Sequence, residues 1–160
     1  MMPNYVEVAP STAFAIVNAG LFLAVGLLSG LWKFAQMWTS PKGEAHPYLD
    51  IAHRASLMYG FACITLAVLS KFSVFPSNQN FIAAALAIAF FWLAVGSYLL
   101  QAILQGPANQ MAQPHRMGRM PMPRGGLMAF MLALVAAELG GALFLLWGAL
   151  QNPLLQFWSN

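Results

Sequence analysis

Charge is what this sequence has least of. Only 7% of its residues are Asp, Glu, Lys or Arg, against 60% hydrophobic, too little polar surface to cover a water-soluble globule. Acidic residues are scarcest, four against seven basic ones. The resulting net charge of +3 is what a positive-inside bias produces and calls for no nucleic-acid partner. A single cysteine, Cys63, rules out an intrachain disulfide and a CxxC pair, which argues against a quinone-linked thiol-redox enzyme. It reads as a small packed hydrophobe. The sequence also has no phosphate loop, serine-nucleophile motif or zinc-helix signature, and no repeat relates its halves.

What it does have is long apolar runs. A bilayer core about 30 Å thick needs roughly 20 apolar residues at about 1.5 Å each, and four segments qualify: residues 12–38, 49–75, 80–104 and 126–150. These use nearly all of the 160 residues. The expected fold is therefore all-α, one membrane domain made of a bundle of four transmembrane helices with both termini on the same side. Pro10, the Ser40-Pro41-Lys42-Gly43 turn, Pro76-Ser77-Asn78 and Pro153 punctuate the spans. Residues 105–125 contain Pro107, Pro114, Pro121 and Pro123 and so form a loop, not a fifth helix. Trp32, Trp38, Trp147 and Trp158 fall near span ends, as an aromatic belt would place them. No Lys or Arg precedes the first span and no small-residue cleavage site follows a short core, so it is read as structure and not as a cleaved signal. Lys33, Lys42, Arg54, Arg116, Arg119 and Arg124 lie on one side and only Lys71 on the other. The first and third loops are thus expected to face the cytoplasm, and the termini the periplasmic side of a bacterial inner membrane.

Four polar groups inside the spans are expensive in a bilayer: His53, Tyr59, Tyr98 and Glu138. Counting rise per residue from the cytoplasmic end puts His53 roughly 6 Å deep and Tyr98 roughly 9 Å, with Tyr59 at roughly 15 Å and Glu138 at roughly 18 Å. A stepped polar cavity is the expectation. The face of the second helix carrying His53 includes Ser56, Leu57 and Gly60. A histidine with glycine seven residues on would let a flat macrocycle lie against the helix backbone while imidazole binds its metal. The alternative is an interfacial histidine snorkelling beside Asp50 and Arg54.

The stretch Ala52-His53-Arg54-Ala55-Ser56-Leu57-Met58-Tyr59-Gly60 resembles the second-helix motif of the styrene oxide isomerase family, small four-helix membrane enzymes that bind haem b. Val95-Gly96-Ser97-Tyr98 resembles that family's third-helix motif, and Leu132-Ala133-Leu134 through Leu139-Gly140 is a looser match in the fourth helix. The resemblance implies His53 as axial ligand to haem iron, Gly60 against the cofactor, and Tyr98 facing the substrate, with Tyr59 beside it. It also implies Lewis-acid opening of a small hydrophobic epoxide toward a benzylic cation, and a 1,2-hydride shift to an aldehyde without net redox change. A homotrimer is implied as well. This chain departs from the family in having Tyr59 where asparagine precedes the glycine, and in Glu138, departures that fit another epoxide substrate or a haem-binding membrane protein of the same fold with a different activity. An amide and a phenol differ in donor pattern, and a mid-membrane carboxyl is costly to ionise, which makes Glu138 a candidate pocket acid.

Two other readings arise from the residues themselves. Met111, His115, Met117, Met120 and Met122 crowd the third loop, and thioether with imidazole suits Cu(I), as in a copper-handling protein. Methionine is equally an adaptable packing residue, and Met58, Met128 and Met131 show it is plentiful here. Alternatively the chain is a non-catalytic membrane anchor, with Ala19, Gly20, Gly26, Ser29, Gly30, Gly140 and Gly141 serving only close helix approach.

Overall fold

Proline at helix starts and extended residues before proline cut the apolar sequence into its elements. In the computed structural model, which describes residues 8–109 and 111–156, these are α1 (Pro10–Thr39), α2 (Pro47–Phe72), α3 (Ser77–Ile103) and α4 (Arg124–Leu150). A two-residue hairpin, β1 (Arg116–Met117) against β2 (Met120–Pro121), interrupts the long loop, and a 3-10 turn at Pro153–Leu155 follows α4. All four helices are long and apolar enough to cross a membrane. Trp158 lies outside the described residues.

Helices α1 and α2 start two residues before the expected positions because Pro10 and Pro47 stand at first helical positions, where a missing N–H costs nothing, and α3 and α4 start directly after Pro76 and Pro123. His46 caps α2 by accepting from the Tyr48 amide at 3.2 Å. The second helix ends at Phe72, three residues short of the expected 75. Ser73 is extended, the Val74 amide bonds the Gly148 carbonyl at 3.2 Å, and Phe75 packs on Phe144 ahead of Pro76.

The helices run up, down, up, down. Ser70 of α2 bonds Ser11 of α1, and Asn152 donates to the Phe72 carbonyl at 2.8 Å, so the start of α1 and the end of α4 share one end of the bundle. At the other end the His46 Nε2 meets the Gly106 carbonyl at 3.1 Å, joining the first and third loops. Small residues set the spacing. A Cβ on Gly26 would sit 2.6 Å from Leu57, and one on Gly141 2.6 Å from the Ala83 carbonyl oxygen. Gly26 and Gly30 thus make a small-xxx-small face on α1 for α2, and α1 and α2 form the most intimate pair.

The core joins Ala15, Ala19 and Phe22 of α1 to Cys63 and Leu66 of α2, Ile88, Phe91 and Val95 of α3, and Leu145 of α4. Outward faces are apolar too: Leu28 and Leu31 are 67% exposed and Phe61 75%. Such a surface is suited to lipid and not to water. Trp38 and Trp147, at opposite ends, also face outward. Trp32 instead is half-buried, packed against Tyr48, Leu49 and Ala102.

Candidate functional site

His53 lies where α2 crosses the glycine face of α1. Its Nδ1 is 2.7 Å from the Gly26 carbonyl oxygen. A carbonyl can only accept, so Nδ1 carries the proton and, in the neutral ring, Nε2 presents a lone pair. That nitrogen has no hydrogen-bond partner among the described residues, and it is not sealed inside the bundle. The ring needs Gly30: a Cβ there would come within 2.7 Å of Cε1 and 2.9 Å of Nδ1. The neighbouring ions are otherwise engaged. Asp50 holds Lys33 of α1 and, at 2.8 Å, Arg54, so the carboxylate beside His53 is taken by two cations and the imidazole turns to α1.

Next along the same face, α1 and α2 enclose a groove of about 310 Å³ lined by Ala19, Gly20, Leu23, Leu57, Gly60 and Phe61, among others. The volume is at the low end of ligand sites. Gly60 serves both contacts. It brings the backbone of α1 close, since its Cβ would lie 3.4 Å from the Ala19 carbonyl oxygen, and it lines the groove, where a side chain would narrow it.

Tyr59 is six residues from His53, which at about 100° per residue turns it about 120° around α2, into the bundle. Its hydroxyl donates to Glu138 of α4 at 3.3 Å, so the common depth expected of these two residues is realised in a direct contact. Its ring stacks on Phe91 at 4.2 Å, and Phe22 stacks on Trp92 at 3.9 Å. Aromatic packing, in place of the expected open cavity, surrounds Tyr59. Tyr98 lies with Tyr48, ring centroids 6.1 Å apart, against Leu49 and Ala102, and within electrostatic reach of Glu138 and Tyr59. Its hydroxyl has no hydrogen-bond partner among the described residues. The site residues therefore fall into two groups: Tyr59, Tyr98 and Glu138 inside, and His53 with Gly60 on the α1 side.

Among the buried polar side chains that escaped the sequence reading are Asn18 and Gln101. Asn18, in the first third of α1, accepts from Trp92 Nε1 at 2.8 Å and donates to the Phe14 carbonyl. An amide in the middle of an apolar run was the available signal. Gln101, fully buried at the end of α3, donates to the Arg116 carbonyl and accepts from the Gly118 amide, both at 2.9 Å. It pins the β1–β2 hairpin over a cavity of about 360 Å³ between α3 and α4, lined by Trp92, Gly96, Met117, Met122 and Leu127 among others. The loop methionines separate: Met117 and Met122 face this cavity, whereas Met111 and His115 line another, of about 280 Å³, with Met128, Met131 and Arg124 of α4.

The donor set bears on what could bind. Among the described residues no three His, Cys, Asp or Glu side chains gather as a metal cluster would. A prosthetic ring supplying its own equatorial ligands needs only one protein nitrogen, and His53, with one nitrogen anchored and the other without a partner among the described residues, fits that requirement; the apolar groove begins one turn on, at Leu57. Comparisons with protein-family models, curated proteins and solved structures each gave no match.

Proposed function

We propose that this protein is a haem b-binding membrane isomerase that converts a small hydrophobic epoxide to an aldehyde. The observation that carries the reading is the state of His53: Nδ1–H on the Gly26 carbonyl at 2.7 Å and Nε2 open. Axial histidines are characteristically held this way, because the second-shell bond fixes the tautomer and the ring plane. When bound, haem supplies a Lewis acid toward an oxygen atom. The chain's own part is to hold the ring through His53, to keep water from the reacting centre with the apolar walls of α1 and α2, and to orient the substrate. The resemblance assigns Tyr98, whose phenol has no hydrogen-bond partner among the described residues, a hydrogen bond to the substrate oxygen, although within one chain Tyr98 belongs to the inner group and not to the α1 side where His53 lies. Tyr59, which donates to Glu138, has its proton committed and positions the acid. The reaction is an isomerisation and needs no external oxidant or reductant. The resemblance to the styrene oxide isomerases supports the substrate class and a homotrimeric assembly. Lys42, Arg116, Arg119 and Arg124, all at the end of the bundle opposite the termini, support a cytoplasmic location for that end in a bacterial inner membrane.

The test is the absorption spectrum of detergent-purified protein expressed with ample haem, with a pyridine haemochrome assay and an aryl epoxide turnover assay. One haem per chain is expected, lost in His53→Ala; an unchanged Soret band in that variant removes His53 as ligand. Tyr98→Phe should keep the haem and lower turnover, and full activity would deny Tyr98 its role.

A second reading has one observation in its favour. Met111, His115, Met128 and Met131 line a single cavity, a soft donor set that suits Cu(I). Arg124 in the same wall opposes a cation there. Copper bound at one per chain to a colourless protein would establish this reading over the first.

A further inference from the structure

We infer that α1 is the tuning element for His53: the Gly26 carbonyl and the empty space at Gly30 together set the orientation and donor strength of its imidazole. The inference rests on the reading of His53 as the haem ligand, and it assigns positioning roles to residues that touch neither iron nor substrate.

Three observations converge. The Gly26 carbonyl oxygen takes the Nδ1 proton at 2.7 Å. That acceptor belongs to a helix backbone, so it cannot rotate away as a carboxylate could. The ring passes so close to α1 that any side chain at Gly30 would overlap Cε1 and Nδ1. One turn on, Gly26 receives Leu57, whose Cγ and Cδ2 would lie 3.0 Å and 2.6 Å from a Cβ at Gly26. His53 and Leu57, one turn apart on α2, thus seat on Gly26 and Gly30, one turn apart on α1, and the seat registers the helices while it aims the imidazole. The Ser29 hydroxyl also donates to the Gly26 oxygen, at 3.0 Å. The carbonyl, which as part of α1 also accepts the helical amide one turn on, is therefore shared by the histidine with a serine side chain.

The shared acceptor has an electronic consequence. An imidazole that donates Nδ1–H to a strong acceptor has a more basic Nε2, which favours the ferric state of a bound iron. A competing donor on the same oxygen weakens that effect.

The experiment uses the full-length protein in detergent, with haem retention, Soret position and Fe(III)/Fe(II) midpoint potential as readouts. Gly30→Ala should displace the ring, with haem retention falling about 10- to 100-fold or, where haem stays, a shifted Soret band and a raised potential. Ser29→Ala removes only the competing side-chain donor, leaving the helix amide in place, and should move the potential the opposite way, downward. It keeps the test open should Gly30→Ala fail to fold. Gly140→Ala, where a Cβ meets nothing within 4 Å, should leave all three readouts unchanged. Wild-type protein that binds haem, with Gly30→Ala folded and spectroscopically unaltered or with an unmoved potential in Ser29→Ala, overturns the inference. A wild-type protein without haem overturns the underlying reading.

Discussion

Replacing Gln101 with leucine should unfasten the hairpin from the end of α3 and leave the bundle standing. The side chain is fully buried, and its amide bonds include two of 2.9 Å, to the Arg116 carbonyl and from the Gly118 amide. Leucine keeps most of the volume and removes both. The two losses differ in weight. Arg116 is exposed and its carbonyl can turn to water, whereas Gly118 is buried and its N–H is left without an acceptor. An orphaned buried donor costs about 1–3 kcal/mol, which at about 1.4 kcal/mol per tenfold raises the open fraction of the hairpin by about 5- to 150-fold. Arg116 and Arg119 supply the assay, since both are exposed tryptic sites in the hairpin. When opening is fast relative to cleavage, the cleavage rate tracks the open population. Cleavage at these two arginines should rise by that factor, while cleavage at Lys42, in the other loop at the same end, should not change. Equal rates at Arg116 and Arg119 in variant and parent would refute the argument. The expected increase would show that the cavity lined by Trp92, Gly96 and Met117 is covered by a removable cap.

Two further outcomes are expected. Asn18→Leu removes the acceptor of Trp92 Nε1; it should destabilise the bundle by about 1–2 kcal/mol in reversible unfolding and shift tryptophan emission, and unaltered stability and emission would show that the bond is not retained in the membrane. A double-mutant cycle of Tyr59→Phe and Glu138→Gln should give a coupling near 0.6 kcal/mol, since the bond is long, at 3.3 Å, and interhelical bonds in membranes average about that. A coupling well above the roughly 1.7 kcal/mol ceiling would mean that the pair is ionised or part of a larger network.

Much of this protein was legible in one dimension because bilayer thickness acts on sequence directly. Twenty-odd apolar residues must become a helix to satisfy their backbone groups, and proline decides where the helix stops. The four spans, their alternation and the clustering of basic residues at one end follow from that alone. Depth was legible too: rise per residue put Tyr59 and Glu138 at one level, and they touch. Azimuth was not. Whether a residue on an almost wholly apolar helix faces lipid, a neighbour or the bundle axis depends on which helices lie beside it, and hydrophobic periodicity is weak when every face is apolar. Only tertiary structure could therefore divide the four polar groups, sending Tyr59 to Glu138 and His53 to α1. Gly26 and Gly30 read in sequence as generic packing residues; the crossing of α1 and α2 made one an acceptor for His53 and the other the space its ring occupies. Gln101 and the loop methionines followed the same rule. Their spacing along the chain said what chemistry they own, and the packing of α3 against α4 decided which cavity each one meets.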